Sequence, residues 1–184
     1  MLACVPKPSD TKQRILDTAR ELFLRQGVQK TTLQEIADQL GITKPALYYH
    51  FASREELVRS IMQLMVDDGD AFVRVQEASD EVRPRALLEG FYDFNLRHRA
   101  DITLLLTETT TLAELGLMGT VHAWRERLTT LLFGPSPTLA QSTRAVLALG
   151  GIQDCVNHFV DAPEDELRAA TVAAACATLG VPAA

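Results

Sequence analysis

Thr43, Lys44, Pro45, Ala46, Tyr48, Tyr49 and His50 place one cation, several hydroxyls, rings and small side chains within a single short run. If that run is a helix, Leu47 and Phe51, four apart, turn inward and leave the others around the outer faces. Such a set suits non-covalent chemistry on a duplex: a lysine and hydroxyls for phosphates, small or ring side chains for base edges and thymine methyls. Taken alone, Tyr48 or Tyr49 fits equally well as a solvent-boundary residue of an ordinary polar helix. The elements around them decide the matter.

Upstream, Leu33, Ile36, Ala37 and Leu40 recur at helical spacing and predict one apolar stripe. Thr32 is placed to cap that helix, with Glu35 three residues on completing a capping box. Gly41 is suited to the left-handed conformation that stops a helix, and Ile42 to fold back on the core. Thr43 then caps a second helix that tolerates Pro45 in its first turn. Two short helices and a tight turn predict a helix-turn-helix. Ile15, Ala19, Leu22 and Phe23 form the stripe of a preceding helix, so a three-helix head is the natural unit.

The segment from Ile15 to Leu57 resembles the DNA-binding domain of the TetR (tetracycline repressor) family. The resemblance rests on Ala19, Leu22, Phe23 and Gly27, on Thr31-Thr32 with Ile36-Ala37, and on Leu47-Tyr48-Tyr49-His50-Phe51 followed by Ser53. It covers about the first third of the chain. Arg54 departs from the lysine usual in the family but keeps the charge. The resemblance implies a dimeric, ligand-responsive transcriptional repressor whose remaining helices form a regulatory domain.

The 184 residues are enough to bury a substantial core. The net charge of −6 is uneven: residues 1–60 hold nine Lys and Arg against seven Asp and Glu, a balance of +2, and the remainder nine against seventeen, a balance of −8. Phosphate contacts therefore rest on a few placed groups rather than a broad basic field. Cys4, Cys155 and Cys176 have neither paired nor metal-ligand spacing, which predicts reduced thiols in a cytoplasmic protein. No apolar run reaches the length of a membrane span.

The rest of the chain predicts helices. Ser53 with Glu56 opens a long connecting helix on which Leu57, Ile61, Leu64, Asp68 and Phe72 share a face, suited to tilt as one piece. Pro84 starts the next, with Leu87, Leu88, Phe91, Tyr92 and Leu96 on a wide apolar face. Asp101 caps another, and the β-branched Thr107, Thr109, Thr110 and Thr111 predict a break. Leu117, Val121, Trp124, Leu128 and Leu131 mark a helix that stops at Gly134, Pro135 and Pro137. Helices over 138–160 and 163–179 carry small residues at 145–151 and 169–177. Those faces suit a four-helix interface with a second copy, or a buried intrachain hairpin; the resemblance, which implies dimers paired this way, and the two-fold logic of operator half-sites favour the dimer.

A small-molecule pocket is mostly apolar with a few orienting polar groups. Tyr92, Asn95, Thr103, Thr107, Glu108, His122, Trp124 and Arg125 are the candidates for one, and each is also compatible with a helix surface. His98, between Arg97 and Arg99, reads as solvated. Asp154 and His158 are four apart, yet no further ligands complete a metal site. No nucleophile, phosphate-loop or metalloprotease motif is present, so an enzyme is the distant alternative, and no cofactor or metal is expected.

The expected architecture is all-α: a helix-turn-helix DNA-binding domain with an N-terminal arm over 1–56, and a helical ligand-binding and dimerisation domain over 57–184. The expected partners are a palindromic operator in double-stranded DNA, a small-molecule effector and a second copy through 138–179. Thr31, Thr32, Lys44, Tyr48, Tyr49 and Arg54 are expected at phosphates, and Thr43, Pro45, Ala46, Tyr49 and His50 at bases. The nearer alternative is a helical protein that binds DNA without sequence choice or acts through a protein partner.

Overall fold

The computed structural model describes residues 8–108, 113 and 115–181. Among these it holds nine helices and no strand: α1 Pro8–Gln26, α2 Leu33–Leu40, α3 Lys44–His50, α4 Arg54–Glu77, α5 Pro84–Arg97, α6 Arg99–Thr107, α7 Leu117–Phe133, α8 Leu139–His158 and α9 Glu164–Leu179. No helix among the described residues is long and apolar enough to cross a membrane. Cys4 and Thr109 to Thr111 lie outside the described residues, and α6 closes at Thr107.

Packing divides the chain into two compact units, and the division is not a single cut at 56/57. One unit comprises Met1–Leu64 with Thr103–Gly116, the other Met65–Ile102 with Leu117–Ala184. The later segment joins the first unit through a specific bond: Glu108 Oε1 accepts the backbone N–H of Val28 at 3.1 Å.

In the first unit, Ile15, Ala19, Leu22 and Phe23 of α1 are buried as their spacing predicts, together with Val28, Ile36, Ala37, Leu47, Phe51 and Leu57. Helix α4 opens on half of the expected capping box. Ser53 Oγ accepts the Glu56 N–H, while the Glu56 carboxylate takes the N–H of Ala52 rather than that of Ser53. The buried stripe of α4 also differs from expectation. Leu64 is 60% exposed, whereas Val58, Met62, Met65 and Val73 are buried beside Leu57 and Ile61. The stripe runs one helical position away from the predicted one, with methionines filling it.

In the second unit α8 and α9 pack as a pair, α5 packs on both, and α7 packs on α8. Leu87, Leu88, Phe91 and Tyr92 of α5 are buried with Leu149, Ile152 and Val156 of α8 and Leu167, Val172 and Cys176 of α9. Arg168 joins α9 to α5 through two bonds to the carboxylate of Asp93, at 2.8 and 3.1 Å. Thr138 and Gln141 form a reciprocal capping box that starts α8 after the break at 134–138. His98 corrects its solvated reading. It is 3% exposed, with Nε2 2.9 Å from Asp68 Oδ2 and Asp101 on its other side. A carboxylate thirty positions upstream, invisible to local spacing, makes burial of the imidazole tolerable.

Candidate nucleic-acid interface

Helix α2 is fixed at both ends by short-range chemistry. At its start Thr32 Oγ1 accepts the Glu35 N–H at 3.2 Å, while the Glu35 carboxylate accepts the Thr32 N–H at 2.7 Å and its hydroxyl at 2.8 Å. These bonds hold the exposed Glu35 carboxyl below its ordinary pKa, the Thr32 N–H contributing most. At its end Gly41 takes φ 67°, ψ 28°, the left-handed conformation that the turn requires, and Ile42 N–H bonds back to Ala37.

Helix α3 follows with Thr43 Oγ1 accepting the Ala46 N–H at 3.3 Å and Pro45 in its first turn. Only Leu47 is buried within it, and Phe51 closes the end against the core. Thr43, Lys44, Pro45, Ala46, Tyr48 and Tyr49 are exposed and His50 is half-buried, so the structure brings this expected set together on one surface. Tyr49 is 86% exposed and Tyr48 46%. The Lys44 ammonium lies 5.8 Å from the centre of the Tyr48 ring, which restrains both side chains without consuming the charge. Tyr49 and His50 meet edge-to-face at 5.2 Å. Lys12 was not singled out from the sequence; it lies over the Phe51 ring at 5.4 Å, and no local motif marks it.

Three expected phosphate contacts are placed differently. Thr31 is 1% exposed and its hydroxyl donates to the Gly27 carbonyl at 2.8 Å, so it braces the turn between α1 and α2. The amide and hydroxyl of Thr32 are both engaged by Glu35, whose carboxylate already stands at the α2 N-terminus. Arg54 donates to the carbonyls of Val28 and Gln29 at 3.3 and 3.0 Å and to the Gln29 side chain at 3.0 Å. Its fork therefore fastens the start of α4 to the α1–α2 turn.

A braced α2 with its apolar side buried, followed by a short α3 whose polar face is left open, is the arrangement of a DNA-reading helix-turn-helix. Residues 15–61 match the model of the bacterial regulatory proteins, tetR family. Residues 15–61 form a DNA-binding domain of the TetR family. It is 36% identical to the HTH-type transcriptional regulator TtgR of Pseudomonas putida over 95 residues, 49% of this chain and 45% of that one. To the HTH-type transcriptional activator FasR of Mycolicibacterium smegmatis it is 32% identical over 130 residues, 68% of this chain and 59% of that one. The chain thus spans about half the length of the curated relatives it matches. Its fold is that of a transcriptional regulator from Aquifex aeolicus, with a TM-score of 0.71, 23% identity, and coverage of 89% of this chain and 96% of that one.

Of the eight candidate ligand residues, five lie in the second unit and three in the first. Tyr92, Asn95 and Trp124 are buried in the second unit. The Tyr92 hydroxyl has no hydrogen-bond partner among the described residues, and burial pushes its pKa up. Asn95 Nδ2 donates to the Phe91 carbonyl at 2.7 Å, and Trp124 Nε1 to Asp70 Oδ1 at 2.7 Å. Thr103, Thr107 and Glu108 belong to the first unit, where Thr107 donates to the Thr103 carbonyl at 3.0 Å and Glu108 holds Val28. His122 and Arg125 share a groove of about 540 Å³, completed by Pro137 and by residues of α7 and α8 that the sequence did not mark. On α7 a partial signal was present in the i, i+3, i+4 and i+7 spacing of His122, Arg125, Glu126 and Thr129, which places them on one face.

Proposed function

We propose that the chain is a homodimeric transcriptional repressor acting in the cytoplasm, with two copies of α3 entering successive major grooves of a palindromic operator. The observation that carries this reading is the outward face of α3, polar, aromatic and almost free of packing duties on a firmly braced support. Thr43, Pro45, Ala46, Tyr49 and His50 meet base edges, and Lys44 and Tyr48 meet phosphates. Thr31 and Arg54 act one step back, holding the support in place, and Thr32 adds at most the peptide dipole of α2.

Residues 138–179 supply the dimer contact. Leu147 of α8 is exposed beside the shallow groove between α8 and α9, which small residues such as Gly151 and Ala174 line. A helix pair with small side chains admits a close copy of itself across a two-fold axis. Residues 57–184 then take up a small-molecule effector, whose binding changes the spacing of the two heads and releases the operator, a coupling of about 1–3 kcal/mol in typical cases.

In vitro selection of the purified protein against random duplexes at near-physiological salt tests this reading. It expects a palindrome with half-sites about one helical turn apart. Enrichment of no motif, with affinity that follows salt alone, would replace it with non-specific binding or action through a protein partner.

A further inference from the structure

The groove between α7 and α8 has one feature that its size does not explain. His122, Arg125, Glu126 and Thr129 face it from α7, and Ser142 and Val146 from α8. Arg125 is half-buried, and its Nη2 donates to the neutral amide oxygen of Gln153 at 2.9 Å. Its Nε is buried without a hydrogen-bond partner, and the guanidinium forms no ion pair among the described residues. Burial pulls its pKa below the ordinary arginine value, the neighbouring Asp154 opposing that shift. Two other arginine forks of the second unit meet carboxylates: Arg127 binds Glu77, and Arg168 binds Asp93. A half-buried guanidinium at the wall of a cavity, with one nitrogen bonded only to a neutral amide and another without a partner, is a receptor for an anion supplied from outside.

We propose that this groove binds a monocarboxylate with an apolar body, its carboxylate on Arg125. Planar, two-oxygen geometry matches the guanidinium fork, and the hydroxyl of Ser142 offers a further donor. Val146, Pro137 and the methyl groups of Thr129 and Thr130 provide the apolar wall. The Glu126 carboxylate at the rim disfavours dianions such as phosphate esters, which sets the charge at one. A volume of about 540 Å³ falls in the range of small-molecule sites and exceeds what a lone inorganic anion fills. The inference rests on the regulatory reading only for its consequence, since occupancy of the groove is measurable without DNA.

Calorimetric titration of the full chain with octanoate and with 2-naphthoate, each against its own carboxamide, tests it. Each acid is expected to bind about tenfold or more tightly than its amide. Arg125→Gln should abolish that preference while Arg125→Lys retains part of it, and the fluorescence of Trp124, adjacent on α7, should respond to the acids. Circular dichroism establishes that each variant is folded, and Gln153→Ala, which removes the restraint but keeps the charge, should still prefer the acids. Equal binding of acid and amide, failure of both acids to bind, or a preference surviving in Arg125→Gln overturns the proposal. Acid binding without operator release leaves the groove standing and removes the inducer role from the proposed function.

Discussion

Glu108 Oε1 lies 3.1 Å from the backbone nitrogen of Val28 and accepts its N–H across 80 positions of sequence. On the carbonyl side of the same residue Arg54 donates to Val28 O at 3.3 Å. The turn between α1 and α2 is thus held from both polar ends by side chains that belong to neither helix. Glu108→Ala leaves a part-buried N–H without its acceptor and should cost about 1–3 kcal/mol, whereas Glu108→Gln, which keeps an oxygen there, should cost less. Thermal unfolding with amide exchange at Val28 checks both; equal exchange in all three proteins would refute the clasp. Gly27→Ala should be worse, because φ is +91° and the added Cβ would meet Glu108 Oε1 at 2.9 Å.

On α3, the outward residues should separate binding from folding. Tyr49→Ala should leave the unfolding free energy within about 0.5 kcal/mol of the parent, since nothing packs on most of the ring. It should nevertheless relax discrimination among duplexes. Lys44→Ala should weaken all duplexes alike and reduce the salt slope of log affinity by about 1. Affinities measured at several salt concentrations distinguish the two, and an unchanged slope removes Lys44 from the phosphate contacts.

In the second unit Trp124 lies directly against Gly69 and is anchored by its bond to Asp70. A Cβ at 69 would come 2.6 Å from Cζ2 of the indole, closer than atoms pack. Gly69→Ala should therefore destabilise this unit by about 1–3 kcal/mol through overpacking. The double variant Gly69→Ala, Trp124→Phe should recover part of that loss, because the smaller ring clears the new methyl. Chemical denaturation of the four proteins gives the coupling, and strict additivity would exclude the clash as the cause.

Glu35 gives the head an acid-side dependence. Its folded pKa lies below the ordinary 4.5 because the Thr32 N–H and then its hydroxyl bond to the ionised carboxyl. The stabilisation is complete above the unfolded value and is lost as pH falls through the lowered folded one. Glu35→Gln keeps the shape of the cap but not the charge. The stability gap between parent and variant should shrink as pH drops below about 4.5; a gap constant with pH would assign the cap no ionic component.

What the sequence made visible was whatever is settled within a few residues. The Thr32–Glu35 box, the Gly41 stop, the Thr43 cap and the inward Leu47 all depend on near neighbours, and each appears as expected. Polar side chains with distant partners were misjudged for the complementary reason. Thr31, Arg54 and Glu108 carry the same chemistry whether they face a phosphate, a ligand or a carbonyl, and only the folded chain selects the carbonyls and amides they meet. His98 was misplaced between two arginines because Asp68 stands a full helix away. On α4, Leu64 and Met65 are both credible core residues by type, and packing chose the methionine. The groove at Arg125 depends on two helices whose relative register no local pattern encodes.

The turn of Gly41 and the buried Leu47 secure α3 through its inner side alone, leaving Pro45, Ala46 and Tyr49 with almost no part in cohesion. With the base contacts proposed above, heritable change at those three positions is filtered by what the protein recognises and scarcely by whether it folds. A descendant of this chain can acquire a new target by single steps on that face, each intermediate remaining a folded protein, without compensating changes elsewhere.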